Sequence, residues 1–77
     1  MDHATETAGA LLRQARVAAG LSQAELAARA GVTQSVISAY ESGHRQPALR
    51  TLAALIQAAD HELVIDVRQQ PRRPPTA

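Results

Sequence analysis

The sequence predicts an all-α fold: four helices around one small core, followed by a short C-terminal strand. Three observations predict it. Four stretches carry apolar residues at three-to-four spacing and end at a glycine or a polar break. Two of them, within residues 22–43, are short, adjacent and joined through Gly31. A single run, residues 62–68, alternates apolar and polar side chains as a strand does.

Residues 1–6 read as a frayed start. Residues 7–19 read as the first helix, with Ala8, Leu12, Ala15 and Ala19 on one face and Gly20 as its stop. Ser22 suits an N-cap, and Glu25, three residues on, can reach back to the Ser22 N–H and complete a capping box. Leu26, Ala27 and Ala30 share one face of this second helix. Gly31 can take the positive φ that ends it, and β-branched Val32 follows as a poor helix continuer. Thr33 is the N-cap candidate of the third helix. Val36, Ile37 and Tyr40 form its buried stripe, which leaves Gln34, Ser35, Ser38 and Ala39 on or near the open face. After a polar loop at residues 42–46, Pro47 suits the first turn of a fourth helix, where its missing N–H costs nothing. Leu49, Leu52, Leu55, Ile56 and Ala59 form that helix's stripe, and Asp60 and His61 break it.

In the strand candidate, Leu63, Ile65 and Val67 fall on one side and Val64 and Asp66 on the other. A lone strand leaves its backbone groups unpaired and its apolar face uncovered. Two copies pairing antiparallel across a two-fold axis solve both problems. Residues 69–77 are Pro-rich and basic and read as a disordered tail.

Two short helices joined by a tight glycine turn, the second with small polar residues at its head, are the build of a helix-turn-helix, whose second helix enters the DNA major groove. Residue types within 22–43 resemble the Cro/repressor-type (XRE-like) family of transcription regulators. Gln23 opens the motif, Ala27 is the small residue at the helix crossing and Gly31 is the turn glycine. Leu26, Ala30, Val32, Ile37 and Tyr40 fill the apolar positions, and YESG with its Pro-ended loop matches the family's exit from the recognition helix. The resemblance covers roughly residues 11–59. It implies a compact four-helix, lambda-repressor-like domain. It also implies that Arg16 and Glu41 are a structural pair bracing the first helix against the end of the recognition helix. Many relatives continue into a fifth helix where this chain has its alternating run.

Seventy-seven residues make one domain with a small core, a size at which oligomerisation often adds stability. The absence of cysteine excludes disulfides and thiolate metal sites. No apolar run is long enough to span a membrane and the start is no signal peptide, so a cytoplasmic location is expected. Between Arg13 and Arg50 there are five arginines against only Glu25 and Glu41. On charge alone an ordinary solvated surface is the simpler account. Beside the helix-turn-helix it becomes a phosphate-facing side.

The expected DNA-contacting residues are Gln23, Thr33, Gln34, Ser35, Ser38, Ala39, Arg45 and Arg50. Gln23, at a helix N-terminus, suits a phosphate. Gln34 suits a bidentate contact to adenine N6 and N7, and Ser35 and Ser38 are short contacts to phosphate or base. Ala39 stands where the family often has a longer polar residue and can meet a thymine methyl. Arg45 and Arg50 suit phosphates, whereas Arg29 can equally be a solvated charge. His3, His44 and His61 lack any paired metal-ligand spacing, and no nucleophile sits beside a base. No cofactor, metal or enzymatic activity is expected.

The domain division follows: 7–60 for DNA binding, 61–68 as a dimerisation element built on Leu63, Val64, Ile65 and Val67, and 69–77 as tail. The expected function is a dimeric, sequence-specific transcription regulator, a repressor, at an inverted-repeat site in double-stranded DNA. Alternatives are an antitoxin that binds its own promoter and a toxin partner, and a module that binds other proteins.

Overall fold

A computed structural model describes residues 7–71. The expected frayed start at residues 1–6, and residues 72–77 of the expected tail, lie outside the described residues. Four helices follow in order: α1 (Ala8–Ala18), α2 (Gln23–Ala30), α3 (Gln34–Ser42) and α4 (Leu49–Ala58). Among the described residues, no helix is long and apolar enough to cross a membrane.

Side-chain oxygens open three of the helices. Thr7 Oγ1 accepts from the Ala10 N–H at 3.0 Å, so Thr7 caps α1 instead of lying inside it. Ser22 and Glu25 form the reciprocal capping box of α2, at 3.0 and 2.8 Å. Thr33 Oγ1 accepts from the Val36 N–H at 3.3 Å. Each cap satisfies a donor that the helix cannot bond itself.

Gly31 closes α2 at φ 71°, a left-handed conformation that costs a side-chain-bearing residue about 1–2 kcal/mol. There the Val32 N–H donates to the Ala27 carbonyl and the Gly31 N–H to that of Ala28. This is a Schellman closure, which turns the chain sharply into α3. Asp60 closes α4 with the same bonding pattern at φ 60°, without glycine.

The core sits where the four helices meet. Leu12, Leu26 and Ile37, one each from α1, α2 and α3, are wholly buried. Leu52, Leu55 and Ile56 of α4, with Ala15, Ala27 and Ala59, complete it. Full burial of each large aliphatic chain contributes about 1.5–3 kcal/mol, so these few side chains supply most of the driving force.

The structure corrects three further expectations, on Pro47, Leu49 and the α3 stripe, and shows the strand candidate without its pairing partner. Pro47 precedes α4 by two residues instead of lying in its first turn, because the helix starts after Ala48. Leu49 begins the α4 stripe in sequence but is 61 % exposed, since it is the first residue of the helix and the buried face starts at Leu52. In α3, Ile37 alone is fully buried; Tyr40 is half-buried against the core, and Val36 is half-buried without joining it. Residues 61–71 carry neither helix nor strand within the chain. A strand needs a partner for its backbone, and among the described residues of one chain no second strand exists. Leu63 folds back against the core, while Val64, Ile65 and Val67 are 78 %, 58 % and 91 % exposed.

Candidate nucleic-acid interface

The head of α3 presents Gln34, Ser35 and Ser38 to solvent, with Ile37 buried behind them. Residues 34, 35 and 38 share a face at helical spacing. Ala39 is half-buried beside this row. Thr33 is committed to its capping bond, and its hydroxyl also lies 3.1 Å from Ser35 Oγ. The N-terminal end of a helix carries partial positive charge, which favours an approaching anion.

A charged brace holds α3 in place. Arg16 of α1 grips Glu41 near the end of α3 with two parallel bonds: Nε donates to Oε2 at 2.7 Å and Nη2 to Oε1 at 2.9 Å. Arg16 Nη1 donates to the Leu21 carbonyl at 2.8 Å, and Gln23 Nε2 of α2 donates to Glu41 Oε1 at 3.2 Å. Three helices thus converge on one carboxylate. Side-chain exposure is only 11 % for Arg16 and 5 % for Glu41.

Burial pushes the Glu41 carboxyl upward, but the bonds from Arg16 and Gln23, with the charges of Arg16 and Arg13, outweigh it and hold the group below the usual carboxylate range. The Arg16 guanidinium moves up, chiefly through its bond to Glu41. The Glu25 carboxyl is lowered by its bond from the Ser22 N–H and then by the Ser22 hydroxyl.

Gly9 makes the same junction possible. It is buried, and a Cβ there would stand 2.3 Å from the Tyr40 carbonyl and 3.0 Å from that of Glu41. α1 therefore crosses α3 backbone to side-chain-free backbone. Sequence reasoning missed this residue, although a glycine inside a helical pattern is itself a signal of close packing.

The candidate cations take different places. Arg45, exposed after α3, lies over the Tyr40 ring at 5.6 Å. Arg50, exposed at the start of α4, borders a groove shared with Val32 of the turn that feeds α3. The two therefore flank opposite ends of α3. Arg29 borders the same groove as Arg50 but is tied down: its Nη1 donates to Asp60 Oδ2 at 3.0 Å and to the Ala58 carbonyl at 3.3 Å. That link between α2 and the end of α4 was not legible, because its partners lie about thirty positions apart in a folded contact. Leu63 to Val67 lie apart from this cluster, since Leu63 meets α1 and α4 at a groove lined by Leu11, Gln14 and Ile56.

Comparison with known proteins adds two findings. Residues 12–60 match the helix-turn-helix family. The chain is also 45 % identical over 65 residues to y4dL of Sinorhizobium fredii, described as an uncharacterized HTH-type transcriptional regulator. The match covers 84 % of this chain and 33 % of that protein, so the chain spans about a third of the relative's length. No solved structure matches.

Proposed function

The chain belongs to the helix-turn-helix family of Cro/repressor type, and on that premise we propose that it is a sequence-specific transcription regulator that binds double-stranded DNA. It acts as a dimer at an inverted repeat and represses by occupying that site. The observation that carries this reading is the exposed polar row Gln34, Ser35 and Ser38 on a helix locked from behind by Ile37 and the Arg16–Glu41 brace.

Each role follows from the chemistry of the side chain. α3 enters the major groove head first, which brings Gln34 to the base edges. Its amide has one donor and one acceptor group, the complement of adenine N6 and N7. Ser35 and Ser38 reach a base or phosphate at shorter range, and Ala39 offers only its methyl. Gln23 has one amide nitrogen bound to Glu41, and this fixes the side chain at the head of α2, where a phosphate oxygen is favoured. Arg45 and Arg50 supply positive charge at either end of α3 and set position without reading sequence.

Selection of bound duplexes from a random pool tests the proposal. The enriched site is an inverted repeat with half-site centres about 34 Å apart, one turn of duplex. Two phosphate-bound arginines per protomer give a dimer a log–log salt slope of about −3.6, or about a 150-fold loss of affinity from 50 to 200 mM salt. A pool with no enriched sequence, or an affinity that ignores salt, overturns the reading.

A further inference from the structure

We propose that residues 62–68 are a self-complementary strand, and that two copies pair antiparallel about a two-fold axis through Ile65. This rests on the dimeric reading above and assigns its contact a register. The segment leaves the helical domain at Asp60, anchors Leu63 on the core and then exposes Val64, Ile65 and Val67.

In an extended run, Ile65 and Val67 project to the same side as Leu63, and Glu62, Val64, Asp66 and Arg68 to the other. Arg68 Nε already donates to Asp66 Oδ2 at 2.8 Å, as neighbours on that second side. Leu63 lines a groove of about 200 Å³ between α1 and α4, and Glu62 and Val64 border it as well. In the single chain Leu63 alone of the apolar row is seated on the core, while Ile65 and Val67 are exposed and left for a second copy to cover.

Charge selects the register. Directly opposed residues in an antiparallel pair point to the same face, so a two-fold axis normal to the sheet must pass through a residue. With the axis at Ile65, Glu62 opposes the second copy's Arg68 at both ends of the ladder. Leu63 opposes Val67, and Ile65 opposes itself, so the apolar row is continuous across both copies. An axis at Val64 sets Glu62 against Asp66. An axis at Leu63 sets Asp60 against Asp66, and one at Asp66 sets that residue against its own copy. Like charges in direct opposition destabilise a pair. An axis at Val67 keeps an Asp66–Arg68 pair but sets Ile65 against Gln69 and Leu63 against Pro71, which cannot donate to the ladder.

The chain has no cysteine, so introduced thiols report the register directly. Ile65 is exposed in the single chain, and Ile65→Cys leaves the helical core untouched. At the axis its copies stand about 4.5–5.5 Å apart between Cα atoms, within disulfide range. Copies of Val64→Cys are diagonal neighbours at about 7–8 Å and fall outside it. Under mild oxidation Ile65→Cys should link at least tenfold faster than Val64→Cys. In sedimentation, Glu62→Arg and Arg68→Glu should each weaken the dimer about tenfold, and the double reversal should restore it. A wild-type chain that stays monomeric at high concentration, linking that favours Val64→Cys, or a double reversal no better than its parents overturns the proposal. DNA binding is read separately on the selected site. A dimer that binds DNA but links at the wrong position sinks the register alone, and a chain that links at Ile65 but binds no DNA sinks the regulator reading alone.

Discussion

Removing Glu41 tests how far the fold depends on one ionic junction. Glu41→Ala leaves the Arg16 guanidinium with the Leu21 carbonyl as its remaining partner and takes away the acceptor of Gln23. Breaking a buried pair costs roughly 3–5 kcal/mol, because the surviving charge stays out of water uncompensated. Arg16 has a long stem and sits at the domain edge with 11 % of its side chain exposed, so it can swing outward, and the expected loss is about 3 kcal/mol. Arg16→Ala strands the shorter Glu41, 5 % exposed and held only by Gln23 Nε2, and the expected loss is about 4 kcal/mol. The double variant strands no charge, although the Gln23 amide and the Leu21 carbonyl lose their partners. It should lose about 4 kcal/mol, short of the sum by about 3 kcal/mol of coupling. Urea denaturation at neutral pH, followed by circular dichroism, measures all three. Single losses approach the whole stability of so small a domain, so Glu41→Gln, which keeps shape and one acceptor, provides a gentler arm at about 2 kcal/mol. Losses that add within about 0.5 kcal/mol would show that the two side chains are not coupled and would refute the reasoning.

Three further outcomes are expected. The folded chain holds Glu41 below the ordinary value of 4.5, so on acidification the unfolded chain takes up the proton first; the stability gap between wild type and Glu41→Gln is full above about pH 4.5, narrows as pH falls through the folded value, and a gap that widens in acid contradicts this. Gly9→Ala puts a methyl against the Tyr40 carbonyl and should cost about 1–3 kcal/mol by overpacking, against about 1 kcal/mol gained in helix propensity, so its melting temperature should drop; a stabilised variant would mean that α1 and α3 are not in close contact. Gln34→Ala should lose about 1–3 kcal/mol at one base pair per half-site and relax preference there, whereas Arg45→Ala should weaken all sequences alike; repeating the selection with each variant decides, and an unchanged site for Gln34→Ala moves base reading to Ser35 and Ser38.

Local rules made the helical frame legible. Ser22 with Glu25, Thr33, Gly31 and the stripes that carry Leu26, Ile37 and Leu55 each act within a few residues, and a chain a few residues long already contains their physics. The polar head of α3 is legible for the same reason, since what is left off an apolar stripe must face outward. Tertiary structure alone decided the rest. It placed a carbonyl where Gly9 admits no side chain, tied Arg29 to Asp60, stacked Arg45 on Tyr40 and exposed Leu49 at the head of its stripe. It also turned Leu63 inward while its neighbours in the alternating run stayed in water. These outcomes depend on distances between residues far apart in the chain. Such distances arise only when the helices dock, because packing has no period in the sequence from which to be read.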